Sequence, residues 1–215
     1  MFAHGVASGE VTRSAVRLWT WFDGAGDLSL VVRAGDAVVH TAEVVEEPGQ
    51  EHVFRAVVDG LDPDVRHDYS FTARDGTSAA GRFRTLPPDG VPLRFAVVSC
   101  AKYNAGFFNT YKTVAAHDDL HFVLHLGDYI YEAGQVPRGT QTPSADIGRP
   151  FEPLHECLTH DDYMTRYAQY RRDPDLLALH ARHAVWQTLD IKIYCRSIDM
   201  ELRITNDMYL VFPDR

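Results

Sequence analysis

The hydrophobic pattern of the sequence changes character at the Pro/Gly-rich segment "TLPPDGVP", residues 85–92. Before it, short segments that alternate apolar and polar residues recur at roughly ten-residue spacing, separated by Gly, Asp and Pro. In "SAVRLWTWF", Val16 and Leu18 share one face, and Trp19 and Trp21 share the other. Regular short strands with turn signals between them predict a β-sandwich.

Beyond the Pro/Gly segment the pattern predicts an α/β domain. "LRFAVVSC" and "LHFVLHLGD" are nearly continuous apolar runs, as expected of strands buried on both faces, and "GFFNTYKTVAAHDD" between them has helical spacing. Strand, helix, strand in succession is a βαβ unit with parallel strands. Further along, "THDDYMTRYAQYRRDPDLLALHARH" predicts two helices broken at Pro174, with Thr159 as N-cap before Asp161 and Asp162.

These patterns divide the chain into four parts. A β-sandwich covers residues 1–87, and the turn that precedes Tyr69 in "LDPDVRHDYSFTA" is typical of fibronectin III-like sandwiches. A linker covers residues 88–92. An α/β domain covers residues 93–184. Residues 185–215 form a tail with a different composition, rich in Ile and without Ala or Gly.

Bulk properties narrow the class of protein. A net charge of −9 argues against a general binder of nucleic acid or anionic membranes, but it leaves a phosphate-bearing substrate possible. No run approaches the ~18 apolar residues that span a bilayer. The first residues lack the pattern of an export signal, so we expect either an internal protein or one whose signal precedes this sequence. Cys100, Cys157 and Cys195 have no CxxC spacing and predict no disulfide framework.

Reactive residues stand where the two buried runs end. The first run ends at Ser99-Cys100, and the second, "FVLHLGDYIYE", ends at Asp128 with Tyr131 three residues later. The carboxyl ends of parallel strands meet at one edge of a sheet, where open α/β sheets bind ligands. Thiolate, carboxylate and phenolate together suit a ferric ion.

Each of these residues also has an ordinary structural interpretation. Cys100 could be a small buried side chain, and Tyr129 and Tyr131 half-buried aromatics with hydrated hydroxyl groups. An acid that ends a buried strand needs a partner, so Asp128 favours the metal site. His125 is interpreted as a hydrogen-bonded core or supporting histidine.

Four stretches resemble the PhoD-type alkaline phosphatases, which belong to the calcineurin-like metallophosphoesterases. They are "HGVASGEVTRSAVRLWTW", "RFAVVSCAKYNAGFFNTYKTVA", "DLHFVLHLGDYIYE" and "DDYMTRYAQYRRDPDLLALHARH". The resemblance implies a fibronectin-like sandwich followed by part of an αββα metallophosphoesterase domain. It implies a metal-activated hydroxide that attacks phosphate mono- or diesters, in family members that are mostly exported.

The same resemblance assigns three metal ligands, in a site that holds Fe(III) with Ca²⁺ or another divalent ion. Cys100 and Tyr131 match the iron-binding cysteine and tyrosine, and Asp128 matches the aspartate that bridges the metals. Asn104 follows the cysteine in the same loop and receives no role.

The sequence departs from the family in residues 185–215. An ungapped alignment places "LDIKI" where the family carries Trp-Asp-Asp-His-Glu. Asp190 could then correspond to the first acid, and Lys192 stands in place of the histidine. The family's later ligand motifs do not follow, so we expect a truncated chain whose tail arises from a frameshift or a mis-joined gene, or else a genuine divergent tail. Whether the chain is an enzyme is therefore open: a phosphoesterase, a non-catalytic binding module or relic, and a half-site completed by a partner chain are the alternatives.

Overall fold

The structure, a computed structural model, describes residues 1–135 and 147–187. Its strands are β1 (Val6–Gly9), β2 (Val16–Trp21), β3 (Leu28–Ala34), β4 (Ala37–Val44), β5 (Val53–Val58), β6 (Arg66–Thr72), β7 (Ser78–Arg84), β8 (Phe95–Val98), β9 (Phe122–His125) and β10 (Ala184–Gln187). Its helices are α1 (Asn109–Ala115), α2 (His160–Tyr170) and α3 (Pro174–Arg182). Among the described residues, no helix is long and apolar enough to cross a bilayer.

The first seven strands form the β-rich part of the chain, as the alternating pattern predicts. One antiparallel sheet has the order β4-β3-β6-β7, and β5-β2-β1 form an antiparallel part of the other. Leu28, Leu30 and Phe71 of the first sheet share one core with Leu18 and Phe54 of the second. Alternation places these apolar side chains on the inner faces, so their burial holds the two sheets together.

The second sheet continues across the predicted boundary between the two parts. Its order is β5-β2-β1-β10-β9-β8, in which β10 pairs in parallel with β1 at Ser8 and Ala184 and along its whole length with β9. Residues 85–94, which include the predicted linker, form no helix or strand. Strand β10 itself crosses the predicted boundary at residue 184. The two parts of the sequence thus share one sheet.

The parallel strands separate two apolar cores. Phe122 and Leu124 of β9 face the sandwich core, whereas Val123 faces a second core that includes Leu176 and Leu179 of α3. All four residues of β9 are buried, which confirms the prediction of a strand buried on both faces.

Strand β8 differs from its prediction. Although "LRFAVVSC" is as apolar as the β9 segment, Val97 is 52% exposed. The reason is position, because β8 lies at the edge of the sheet and β9 lies between two neighbours. Strands β1 and β7 were not predicted, since "VASG" is short and "SAAGRFR" has few residues with high β-propensity.

The helices follow the sequence closely. The Thr159 hydroxyl accepts a hydrogen bond from the amide of Asp162, and the Asp162 carboxylate accepts one from the amide of Thr159, which makes a capping box at the start of α2. Pro174 lies in the first turn of α3, where its missing N–H removes no helical hydrogen bond, and Asp173 caps that helix. These contacts confirm the predicted break and the predicted N-cap.

Candidate metal centre

The candidate site lies where β8 and β9 end side by side. The two strands are parallel and in register from Phe95 and Phe122 onward, so the loops that follow them leave the same edge of the sheet. The amide of Cys100 donates to the carbonyl of Gly127 at 3.2 Å, and the amide of Ala101 donates to the carbonyl of Asp128 at 2.9 Å. These two hydrogen bonds hold the loop after β8 against the loop after β9.

Both strands end in an unusual backbone conformation. Cys100 has a φ angle of 62° and Asp128 one of 53°, which is the left-handed region that side chains with a Cβ atom disfavour. Such a conformation costs on the order of 1–3 kcal/mol per residue, so the surrounding contacts must impose it. Gly127, with a φ of 100°, takes the more extreme angle without this cost. In this backbone conformation the Cys100 and Asp128 side chains point toward each other.

The three residues singled out from the sequence come together here. The Cys100 thiol donates to Oδ2 of Asp128 at 3.4 Å, and the Tyr131 hydroxyl donates to the same oxygen at 3.0 Å. The thiol, the carboxylate and the phenol therefore converge on one point. Cys100 and Asp128 are exposed, and the two hydrogen bonds give Asp128 the partners that an acid after a buried strand was expected to need.

The surroundings of the Tyr131 phenol determine whether it carries a proton. Burial, the Cys100 thiol and the Asp128 carboxylate together raise the pKa of the Tyr131 phenol, so the phenol keeps its proton. A cation placed among the three groups would replace the thiol and phenol protons that now form hydrogen bonds to Asp128. One hard carboxylate, one hard phenolate and one thiolate form a donor set that fits a ferric ion.

The third donor is what distinguishes this group. Within residues 1–135 and 147–187, no three His, Cys, Asp or Glu side chains gather into a cluster able to hold a metal ion. Cys100 and Asp128 contribute two such donors, and the phenol of Tyr131 completes a set of three. Lys192 and Asp190, which entered the sequence argument, lie outside the described residues.

Two buried pairs of tyrosine and histidine lie behind the site. His125 is fully buried, and its Nε2 lies 3.0 Å from the Tyr111 hydroxyl, which confirms its interpretation as a hydrogen-bonded core histidine. Burial lowers the pKa of His125 to about 4, so it is neutral at pH 7. The Tyr129 hydroxyl lies 2.8 Å from Nε2 of His180, a pair that sequence reasoning missed because its members belong to different elements.

The loop after Cys100 is tied down by polar contacts that the sequence did not reveal. The buried Asn104 amide donates to Oε1 of Gln135 at 3.2 Å, and the same oxygen accepts the amide of Phe151. Arg149 donates to the Tyr103 carbonyl at 3.2 Å and its guanidinium stacks 3.9 Å from the Tyr103 ring centroid. Asn104 thus anchors loops beside the site.

A cleft of about 340 Å³ opens beside Cys100. Its wall combines the exposed side of β8 with the start of α1 and includes Cys100 itself; the residues with the largest side chains there are Val97, Val98, Lys102, Phe107, Phe108 and Tyr111. A molecule held at the Cys100 end of this cleft would contact both apolar side chains and one lysine.

Comparison with known proteins gives a consistent result for both parts of the chain. Residues 1–87 match the family description "PhoD-like phosphatase, N-terminal domain", and residues 95–190 match "PhoD-like phosphatase". The chain is 34% identical to alkaline phosphatase D of Bacillus subtilis (strain 168) in an alignment that covers 84% of the chain and 33% of that protein.

The fold agrees with a solved structure described as the structure of PhoD. The two share 31% identity and a TM-score of 0.77 over 88% of this chain and 38% of that one. The chain therefore spans about a third of the length of each relative. By its two matched regions, its identity to alkaline phosphatase D and its fold, this chain belongs to the PhoD-like phosphatase family.

Proposed function

We propose that Cys100, Asp128 and Tyr131 are metal ligands, and that this chain contributes them to a metal-dependent phosphoesterase of the PhoD type. The proposal rests above all on one observation: two neighbouring strands end in left-handed residues whose side chains meet, together with a phenol, at a single carboxylate oxygen. Backbone strain of this kind is concentrated at functional sites. Membership of the PhoD-like phosphatase family supports the same conclusion.

The proposed roles of the three side chains follow from their positions. Cys100 and Tyr131 each bond to Oδ2 of Asp128, so all three donors can face one ferric ion. The other oxygen of the Asp128 carboxylate is then available to a second cation, such as Ca²⁺, which would make Asp128 the bridge between two metals. Bound there, the metals would supply an acidified water and would neutralise charge on a phosphoryl group.

The substrate class we propose is a phosphate mono- or diester. The chain carries a net charge of −9, so attraction of an anionic ester would depend on the bound cations rather than on the protein surface. The cleft beside Cys100, with its apolar wall and Lys102, would receive the organic group of such an ester.

The test is an Fe(III) titration of the full chain followed by absorption spectroscopy. A ferric ion bound to Tyr131 gives a tyrosinate charge-transfer band in the visible range, and Tyr131→Phe abolishes that band. The matched control is Tyr163→Phe, since Tyr163 lies on α2 and is 41% exposed; it keeps the band. A band that survives Tyr131→Phe, or no band in the native chain, would contradict the ligand assignment.

Activity is measured separately with p-nitrophenyl phosphate and bis(p-nitrophenyl) phosphate, on the native chain loaded with Fe(III) and Ca²⁺. Hydrolysis that disappears in Asp128→Asn supports a phosphoesterase. Metal binding without hydrolysis of either ester would instead identify a metal-binding module without catalysis.

A further inference from the structure

We propose that Arg166 is a positioning residue that holds the Tyr131 turn in the geometry required for metal binding. Arg166 lies on α2 and is fully buried. Among the described residues, it makes no hydrogen bond to Cys100 or to the Asp128 carboxylate. The effect of Arg166 on metal binding rests on the proposed function. Its hold on the turn can be tested without metal.

The hydrogen bonds of Arg166 account for all of its donors. A guanidinium group has five N–H bonds. Nε donates to the Glu152 carbonyl at 3.0 Å. One terminal nitrogen donates to the Tyr131 carbonyl and, at 3.2 Å, to the Ala133 carbonyl. The other terminal nitrogen donates to the Pro153 carbonyl at 2.8 Å and to the His155 carbonyl at 3.5 Å. Five donors thus meet five backbone carbonyls.

These carbonyls belong to two chain segments that Arg166 joins. One is the turn that carries Tyr131, and the other is residues 152–155. The segments also bond directly: the amide of Gln135 donates to the Leu154 carbonyl at 2.7 Å, and the amide of Cys157 donates to the Glu132 carbonyl at 2.8 Å. Arg166 therefore ties the turn to residues 152–155 through backbone carbonyls of both segments.

The chemistry of Arg166 argues for a geometric role. Arg149 and Arg172 pair with carboxylates, those of Asp173 and Glu152, but no ion pair of the described residues includes Arg166. A buried cation without a counter-charge is costly, and here carbonyl dipoles replace the acid. The planar guanidinium also lies 4.0 Å from the centroid of the Phe151 ring, which fixes its orientation.

The Tyr131 phenol depends on this arrangement because its own backbone is the part that Arg166 holds. The side chain reaches back to Asp128 from a turn only three residues away, so a shift of the Tyr131 carbonyl moves the phenol relative to the carboxylate. Lysine has only three N–H donors on one nitrogen and cannot reproduce a fork of five. Arg166→Lys keeps the charge and the helix but leaves at least two of the five carbonyls without their guanidinium donor.

The first experiment is hydrogen exchange of the metal-free full chain, native and Arg166→Lys. We expect the amides of Gln135 and Cys157 to exchange at least tenfold faster in Arg166→Lys, while amides of β3 and β6 keep their native rates. The matched control is Arg172→Lys, because the Arg172–Glu152 pair is more than half exposed on both sides; it leaves both sets of amides unchanged. Unaltered exchange at Gln135 and Cys157 would overturn the proposal.

A milder variant covers the case in which Arg166→Lys fails to fold. Phe151→Leu keeps all five hydrogen-bond donors but removes the ring against which the guanidinium lies. We expect it to accelerate exchange at Gln135 and Cys157 selectively, by a smaller factor. Equal acceleration in β3 and β6 would mean that the effect is global unfolding, and it would count against a positioning role.

The second experiment connects the turn to the metal. In Fe(III)-loaded protein, we expect Arg166→Lys to weaken iron binding at least tenfold and to shift the tyrosinate band, with Arg172→Lys unchanged. A native band that Arg166→Lys leaves untouched overturns the positioning role, whereas absence of a band in the native chain overturns the proposed function. Hydrogen exchange still decides whether Arg166 holds the turn in the second case.

Discussion

The antiparallel sandwich and the parallel strands beside it use the same sheet in different ways. At the sandwich end of this sheet, β5 buries Phe54 and Val58 in one core and leaves Val57, on its other face, 61% exposed. Strand β9 instead divides its side chains between two cores, with Leu124 facing the sandwich and Val123 facing the helices. The alternating segments thus reveal their faces in the sequence, and the continuous apolar segment does not.

The comparison also shows how the site depends on the sandwich. Strand β10 lies between β1 and β9, and β9 delivers Asp128 to the site. The sandwich core continues beneath the parallel strands through Phe122, Leu124 and Ala184. We therefore infer that the sandwich supports the strands that carry the candidate metal centre.

The largest expected effect comes from the residue through which the two regions share a core. Leu124→Ala removes a side chain that is 2% exposed, and should lower the free energy of unfolding by about 2–5 kcal/mol. Because Leu124 belongs to the sandwich core, amide exchange should accelerate in β3 and β6 as well as in β9. Leu158→Ala, at a side chain that is 77% exposed, is the control. Acceleration confined to β9 would show that the two regions are energetically separate.

Acid should destabilise the helical side of the sheet through His125. Burial, opposed by a smaller effect of Asp128, lowers its pKa from 6.5 to about 4. Between these values the unfolded chain binds a proton that the folded chain does not, so stability falls as the pH decreases from about 6.5 to about 4. The loss is on the order of 3 kcal/mol.

Denaturant titrations at a series of pH values measure this effect. His125→Gln has no imidazole at this position and should make the dependence less steep. The remainder comes from other histidines whose pKa burial lowers, such as His4, His180 and His183. The exposed His155→Gln should preserve the full dependence. An unchanged slope in His125→Gln would contradict the assignment.

Within the sandwich, Gly81 should tolerate no side chain. It pairs with Tyr69 across β6 and β7, and a Cβ atom there would lie 2.7 Å from the Tyr69 ring and 2.8 Å from Val6. Gly81→Ala should therefore lower the free energy of unfolding by about 1–3 kcal/mol. The melting temperature should fall accordingly. Gly106→Ala, where nothing lies within 4 Å of the added atom, should change it little. Equal melting temperatures for the two variants would show that the tyrosine ring moves aside freely.

The smallest expected effect is at the capping box of α2. Thr159→Ala removes the hydroxyl that accepts the Asp162 amide, which should cost about 1 kcal/mol. Thr165→Ala, at an exposed position inside the same helix, should cost nothing or stabilise slightly. Thermal unfolding of both variants checks the order, and a larger loss in Thr165→Ala would refute it.

Much of this fold can be predicted from local sequence. The alternation in β2, the break at Pro174 and the cap at Thr159 all act over a few residues, so their patterns are visible without tertiary contacts. The continuity of the sheet is not, because it depends on the pairing of Ser8 with Ala184. The exposure of Val97 likewise depends on the edge position of β8.

The same division holds for the site. That Cys100 and Asp128 follow neighbouring strands is predictable from the βαβ pattern, and the structure brings both together with Tyr131. Their role as metal ligands stays a prediction. Two features of the site have no local sequence pattern that predicts them, because they arise from packing between distant segments. They are the left-handed backbone of Cys100 and Asp128 and the contact of Arg166 with five carbonyls.

The central claim is that one metal ion is held jointly by the ends of β8 and β9. X-ray absorption spectroscopy of the iron-loaded full chain tests it most directly, because a sulfur ligand scatters differently from nitrogen or oxygen. The account predicts a sulfur scatterer in the native chain and in the Cys157→Ser variant, which removes a buried thiol that donates to the Asp162 carbonyl. It predicts loss of that scatterer in Cys100→Ser. Iron with no sulfur ligand in the native chain, or a sulfur signal that survives Cys100→Ser, would contradict the claim.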